Sequence, residues 1–176
     1  MLLAANIIGY QLVWLACVAG AGRGSAWLGP MAAALFTAAT LTFGGKPGAD
    51  LRILGLALPL GFAMDSLFAA LGWMSFSQAW PWPNLAPAWI CMLWAAFAMT
   101  LNHSLAFLAD RLWLASLLGL LGGPLAYWSA AHAFNAVDFG ESTASIMPAL
   151  ALAWAAMLPL LVALNKRLAP ATSPLR

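Results

Sequence analysis

The fold is decided by the stretch Trp94-Ala-Ala-Phe-Ala-Met-Thr-Leu-Asn-His-Ser104, by Ala109-Asp-Arg111 after it, and by Gly119-Leu-Leu-Gly-Gly-Pro-Leu-Ala-Tyr-Trp128 beyond. These residues belong to two apolar runs joined by about three polar residues, and each run is long enough for the roughly 20 residues that a bilayer core requires. Both runs carry polar or helix-breaking residues well inside the apolar span. Such residues are costly in lipid, so the pattern predicts two spanning helices with a polar bundle interior.

The composition of the whole chain extends this prediction to a membrane protein. Hydrophobic residues make up 64% of the chain and charged residues 7%, whereas a soluble domain has about 45–50% and about 25%. Six apolar runs leave little sequence for anything outside a membrane. The predicted fold is therefore all-α, a polytopic bundle of six transmembrane helices in one domain (residues 1–168) with a short tail at 169–176.

The six predicted spans are 2–22, 27–43, 51–74, 88–108, 112–134 and 145–164. The longest loop, 75–87, contains Trp80 and Trp82, each followed by a proline, and is typical of an interfacial aromatic belt. Trp73, Trp89 and Trp128 are placed by the same reasoning near that interface, while a tryptophan-lined binding site is the alternative. The two cysteines lie in separate apolar runs, so neither a disulfide nor a metal site is predicted.

The distribution of basic residues predicts the orientation. An even number of spans places both termini on one side, and cytoplasmic loops carry an excess of Lys and Arg. Only Arg23 falls on the side opposite to the termini. The basic residues on the side of the termini are Lys46, Arg52, Arg111, Lys166, Arg167 and Arg176. The predicted topology is N-in, C-in.

Asp65 is the acid that lies deepest within a predicted span. A carboxyl at that depth costs about 2.5–3.5 kcal/mol on insertion scales, so it should be protonated, paired or hydrated. One hypothesis makes Asp65 a ligand-binding or proton-handling group. The other makes it a structural carboxyl bonded to Ser66, Tyr127 or a backbone carbonyl freed by Pro59.

The triplet Asn102, His103 and Ser104 is the densest polar group inside a predicted span. Consecutive helical residues diverge around the axis, so at most two of the three could face one ligand. The depth of His103 matches Asn6, Tyr10 and Gln11 in span 1 better than it matches Asp65. We therefore expect a polar pocket between spans 1 and 4 and no direct Asp65–His103 pair.

Span 5 contains the helix-packing spacing Gly119 and Gly123, and the sequence Gly122-Gly123-Pro124. Small residues four apart allow two helices to approach closely, and proline removes a helical hydrogen bond. We expect close packing and a kink. The alternative is a broken helix whose free backbone groups contact a ligand.

The segment 94–108, followed by Gly122-Gly-Pro-Leu-Ala-Tyr127, resembles an uncharacterised family of small bacterial inner-membrane proteins, domain-of-unknown-function family 2878. The resemblance is sharpest over residues 94–128 and implies location in the bacterial inner (cytoplasmic) membrane. Members often accompany genes for enzymes similar to cyclopropane-fatty-acid synthases, which implies a lipid-related setting. The family supplies no catalytic residues to transfer to this chain.

The function expected from these observations is binding or handling of a lipid or another hydrophobic small molecule, linked to membrane-lipid modification. The candidate ligand-binding residues are Asp65, Asn102, His103, Tyr127, Asn6 and Gln11. The alternatives are a membrane enzyme acting on lipids through Asp65 and His103, a solute-binding transporter component, and an accessory subunit of a larger complex. Membrane lipids are the expected partners, with a membrane protein or a second copy of the chain also open. Without a catalytic triad, a phosphate loop or a basic nucleic-acid patch, no cofactor, metal or nucleic acid is expected.

Overall fold

The computed structural model describes residues 3–140 and 143–168, and the predicted tail at 169–176, including Arg176, lies outside them. Within these ranges the chain forms six α-helices, a short 3-10 helix and one pair of two-residue strands. The helices are α1 (Leu3–Gly22), α2 (Leu28–Phe43), α3 (Pro47–Ala70), α4 (Ala88–Leu101), α5 (Leu112–His132) and α6 (Thr143–Arg167). The strands are β1 (Ser75–Phe76) and β2 (Val137–Asp138). The all-helical fold was predicted, whereas the strand pair was not.

Four of the helices in the described ranges are long and apolar enough to cross a membrane, namely α1, α3, α5 and α6. The other two are shorter, with 16 residues in α2 and 14 in α4. At 1.5 Å per residue these two helices are about 24 Å and about 21 Å long. Both are therefore shorter than a hydrocarbon core of about 30 Å.

Successive helices run in opposite directions, so the bundle has two distinct ends. At the end where α1 begins, the Lys46 ammonium donates to the Asn102 carbonyl oxygen at 2.7 Å, joining the α2–α3 connection to the end of α4. We call this the basic end. At the opposite end, which we call the tryptophan end, β1 pairs antiparallel with β2 and so joins the segments after α3 and α5.

Helix α4 is the most enclosed helix of the bundle. Residues 94–101 are all buried, and α4 packs against α1, α2 and α3. Helix α5 packs mainly against α6, which also contacts α3. Because α4 is surrounded by protein, the irregular backbone that follows it can be satisfied by neighbouring helices without contact with lipid.

The structure corrects the predicted end of span 4. Helix α4 stops at Leu101, not at residue 108, and the backbone then turns, with the amides of His103 and Leu105 both donating to the Thr100 carbonyl oxygen. The amide between these two, that of Ser104, donates to the Asn6 side-chain oxygen at 3.1 Å. A side chain on a neighbouring helix thus replaces the helical acceptor, which the chain's own periodicity cannot reveal.

The start of span 3 also moves, from residue 51 to Pro47, which lies in the first turn of α3. Proline fits a first helical turn because that position needs no amide donor.

The structure corrects the predicted aromatic belt at one tryptophan. Trp73, Trp80, Trp82 and Trp128 are exposed as expected, but Trp89 is buried, and its indole donates to the Ser77 carbonyl oxygen at 2.9 Å.

Candidate functional site

The main cavity of the described structure has a volume of about 520 Å³ and lies between α1, α4, α5 and α6. Pockets that bind drug-sized ligands have volumes of about 300–1,000 Å³. Most of its wall is apolar and aromatic, and we call it the aromatic cavity. Its aromatic residues are Tyr10, Trp14, Trp89, Trp94, Phe97, Tyr127 and Trp154.

Asp65 supplies the carboxyl group of the aromatic cavity and is fully buried. One carboxyl oxygen accepts a hydrogen bond from Trp94 Nε1 at 2.7 Å, and the other accepts one from the Tyr127 hydroxyl. Asp65 lies five residues before the end of α3 at Ala70, hence about 7.5 Å from the tryptophan end along the axis. Three helices thus converge on one buried carboxyl.

A pair of stacked tryptophans forms part of the cavity wall beside this carboxyl. The rings of Trp94 and Trp154 are parallel to within 7°, with centroids 4.9 Å apart. A side chain at Gly61 of α3 would overlap the Trp94 ring, and a Cβ at Gly123 of α5 would lie 2.7 Å from the Trp154 Cβ and closer still to its ring. The stack therefore requires glycine on both neighbouring helices.

The Trp154 indole nitrogen is buried and forms no hydrogen bond of standard distance and angle among the described residues, although the Tyr127 side chain lies close enough to interact with it. An unmatched buried donor costs free energy, commonly about 1–3 kcal/mol. Trp154 lines the aromatic cavity. An acceptor brought by a bound molecule could therefore align with this donor better than the Tyr127 hydroxyl does.

The cavity reaches the outer surface of the bundle on the side where α1 faces α5. Its lining includes four residues that are exposed on that surface: Gln11, Leu118, Gly122 and Leu125. Nearer the tryptophan end the two chain segments meet, because a Cβ at Gly22 would lie 2.8 Å from the carbonyl carbon of Phe134. The opening is therefore lateral and lies along the helices.

A separate group of polar residues, here called the polar cluster, occupies the basic end. The Asp50 carboxyl is fully buried, with one oxygen 3.0 Å from His103 Nε2 and the other accepting from Asn102 Nδ2 at 3.0 Å. Asn102 Oδ1 accepts from Asn165 Nδ2 at 2.8 Å. The polar cluster thus links α3, α6 and the turn after α4.

The residues predicted to form one pocket between spans 1 and 4 lie in separate places in the structure. Asn6 bonds to the backbone around the end of α4, donating to the Met99 carbonyl oxygen at 3.1 Å. His103 pairs with Asp50, while Tyr10 and Gln11 line the aromatic cavity. The prediction of one shared pocket was wrong, because the side chains of α1 at different heights face different neighbours.

The glycines of α5 occupy distinct environments. A Cβ at Gly119 would lie 2.7 Å from the Trp154 carbonyl carbon, and Gly123 adjoins the same residue, so both lie against α6. A Cβ at Gly122 would have no neighbour within 4 Å. Pro124 lies inside a helix that continues to His132, so the broken-helix alternative is not observed.

Sequence reasoning missed three residues of these sites: Asp50, Trp94 and Trp154. A signal existed for each of them. Asp50 follows a proline suited to a helix start, and its burial follows once α3 begins at Pro47. Both tryptophans lie well inside their helices, so an interfacial belt cannot account for them.

A smaller cavity of about 240 Å³ adjoins the polar cluster and is lined in part by Arg52, Asp110 and Lys166. The Lys166 ammonium donates to Asp110 at 2.6 Å, and both side chains are exposed. This hydrogen bond, reinforced by the positive charge of Lys166, lowers the pKa of Asp110 below its usual value. In the described ranges no group of three or more His, Cys, Asp or Glu is arranged to hold a metal ion.

The chain is similar to one known protein family over most of its length. Residues 3–160 match the family described as protein of unknown function DUF2878. The chain belongs to this family. The match covers every helix described above except the end of α6, and it confirms the resemblance noted in the sequence. Searches of curated proteins and of solved structures find no match.

Proposed function

We propose that this DUF2878 protein is a membrane protein that binds a lipid or another hydrophobic small molecule in its aromatic cavity. The observation that carries the proposal is the combination of an apolar cavity of about 520 Å³ with a lateral opening between α1 and α5. A molecule dissolved in the bilayer can enter such an opening without crossing water. Apolar walls with a few polar groups are the usual form of a small-molecule site.

The polar groups of the cavity support a role in orienting the bound molecule. Asp65 and the Trp154 indole lie on its wall, and Gln11 lies at its opening. An amphiphile would place its polar head against these groups and its chain along the leucines of α5. This arrangement agrees with the general rule that apolar surface provides affinity while a few polar groups set orientation.

Binding is favoured over chemistry shared between Asp65 and His103. His103 bonds to Asp50, which lies 15 residues before Asp65 on α3, hence about 22 Å away along the axis. Both members of an acid–base pair must reach one reacting group within hydrogen-bond distance or through one water. The two residues belong to different sites.

We propose further that all six helices cross the bacterial inner membrane, with the basic end in the cytoplasm. The short helix α4 is enclosed by its neighbours, and the turn after it is bonded by side chains of α1 and α3, so neither needs contact with lipid. Single cysteines at Gln78 and Asp110, in a chain lacking Cys17 and Cys91, should react with an impermeant maleimide from opposite sides. Reaction of both from one side would refute this topology.

The binding proposal is tested by filling the cavity opening. Gly122→Trp introduces a large side chain at a lining position where a Cβ meets no neighbour. Gly55→Trp is the matched control, because Gly55 also lies inside a helix, is exposed and has no neighbour within 4 Å, but it is not among the cavity-lining residues.

The measurement is native mass spectrometry of gently purified protein, with extraction and identification of the bound lipids. We expect a bound species on the wild type and on Gly55→Trp, and its loss from Gly122→Trp. Equal occupancy of all three proteins would show that the bound molecules lie outside the aromatic cavity. That result would refute the proposed site.

A further inference from the structure

We propose that the aromatic cavity selects amphiphiles whose head group is a cationic ammonium, and that Asp65 is the residue that selects them. This inference rests on the proposed binding function and names the class of ligand. The decisive juxtaposition is a fully buried carboxyl on the wall of a large cavity whose described lining contains no Lys, Arg or His. If Asp65 is ionised, its partner of opposite charge then comes from the ligand.

The bonding of Asp65 leaves acceptor positions for such a partner, and because the residue has no accessible surface, a ligand reaches them when the surrounding side chains shift. Its two protein partners, the Trp94 indole and the Tyr127 hydroxyl, are neutral donors, one to each carboxyl oxygen. A carboxylate has about four lone-pair positions, so two remain. The protein partners hold the carboxyl in place but bring no compensating positive charge.

Among the described residues, Asp50 in the polar cluster is also a buried carboxyl, and its surroundings differ from those of Asp65. Asp50 has a histidine ring nitrogen at 3.0 Å, and the ammonium of Lys46 donates to the backbone of Asn102, the residue that also bonds Asp50. A histidine thus contacts Asp50 directly, and a lysine bonds to a residue that contacts it. Asp65 faces a cavity where they could have been placed and where the described lining has none.

The aromatic rings of the cavity favour the same class of head group. Tyr10, Trp14 and Phe97 line the cavity together with Asp65, and aromatic faces attract ammonium groups that approach within about 6 Å. A carboxylate or phosphate head group would instead face Asp65 in a poorly hydrated site. Like charges in such an environment repel strongly.

The test uses probes that share a chain of twelve carbons and differ in the head group. Dodecylamine and dodecyltrimethylammonium are cations, dodecanol is neutral, and dodecanoate is an anion. Binding is measured on purified full-length protein in non-ionic detergent by competition against radiolabelled dodecylamine. The proteins compared are the wild type, Asp65→Asn and the control Asp110→Asn, which removes an exposed carboxylate at the basic end.

We expect both cations to bind the wild type at least about tenfold more tightly than dodecanol, and dodecanoate to bind most weakly. Asp65→Asn removes the negative charge and keeps one oxygen, which can accept from the Trp94 indole while the new amide donates to the Tyr127 hydroxyl. It should abolish this preference while leaving dodecanol binding unchanged. Asp110→Asn should behave as wild type. The ranking on the wild type needs no substitution, so a poorly folded variant would not leave the proposal untested.

The outcomes separate this inference from the proposed function. If the probes bind alike and Gly122→Trp blocks all of them, the cavity binds amphiphiles but the cation selectivity is refuted. If Gly122→Trp affects none of them, the proposed site itself is refuted. Loss of the preference for dodecylamine alone, with dodecyltrimethylammonium unaffected by Asp65→Asn, would also overturn the role of the carboxylate charge.

Discussion

A methyl group added at Gly119 should destabilise the protein, whereas the same group added at Gly122 should not. A Cβ at Gly119 would lie 2.7 Å from the Trp154 carbonyl carbon. Ordinary Cβ contacts begin at 3.4 Å, so α5 and α6 would have to separate by at least about 0.7 Å. The obstructing atoms are backbone atoms, which cannot rotate away as the end of a side chain could.

The expected change in the free energy of unfolding is the sum of two opposing effects. Replacing glycine by alanine inside a helix gains about 0.8–1.0 kcal/mol in helix propensity at either position. Overpacking a closely packed interface costs typically about 1–3 kcal/mol, and only Gly119 pays this cost. We therefore expect Gly119→Ala to be less stable than Gly122→Ala by about 1–3 kcal/mol, while Gly122→Ala is as stable as the wild type or more so.

The assay is thermal unfolding of the purified proteins in one detergent, followed by tryptophan fluorescence. For a chain of this size each kcal/mol shifts Tm by roughly 2–4 °C. The two substitutions are chemically identical and lie three residues apart on one helix, so helix propensity and expression effects cancel in their difference. Equal Tm values for the two variants would refute the close α5–α6 contact at Gly119.

Three further substitutions test the two polar sites and the surface pair. Tyr127→Phe removes a hydrogen bond to the buried cavity carboxyl and should lower the free energy of unfolding by about 1.5–3 kcal/mol. Tyr10→Phe removes a cavity hydroxyl for which no hydrogen bond is observed among the described residues, so it should cost less. Equal losses would contradict the Tyr127–Asp65 bond. His103→Ala should destabilise by about 1.5–3 kcal/mol in chemical denaturation, because it leaves the buried Asp50 carboxyl short of a partner. His132→Ala loses a hydrogen bond and a ring stacking, both to Trp128 within its own exposed helix end, and should cost less. Because the pKa of Asp110 is lowered in the folded protein, its interaction with Lys166 stabilises the fold above the unfolded pKa and is lost as pH falls through the folded pKa. Asp110→Asn should therefore remove this contribution to the acid-side pH dependence of stability, and an unchanged dependence of stability on pH would refute it.

Several features of the fold could be predicted from the chain because they follow from composition and short-range spacing. The apolar fraction excludes a soluble domain, and the repeated apolar runs predict an all-helical bundle. The four-residue spacing of Gly119 and Gly123 places both on one face of α5 whatever the neighbour is. Tyr127 was one of the partners predicted for Asp65, because both residues lie at a similar depth in their predicted spans. The structure confirms a hydrogen bond between them.

The sequence alone thus determined the all-helical class of the protein and the shared face of Gly119 and Gly123, since both depend on hydrophobicity and on the geometry of one helix. Only the tertiary structure decided which buried groups meet. The turn after Leu101 depends on Asn6, which precedes it by more than ninety residues, and the Trp94–Trp154 stack depends on glycines in two other helices. Helical periodicity records which face a residue occupies but carries no information about the helix opposite, so the aromatic cavity and the polar cluster became visible only when the helices were packed together.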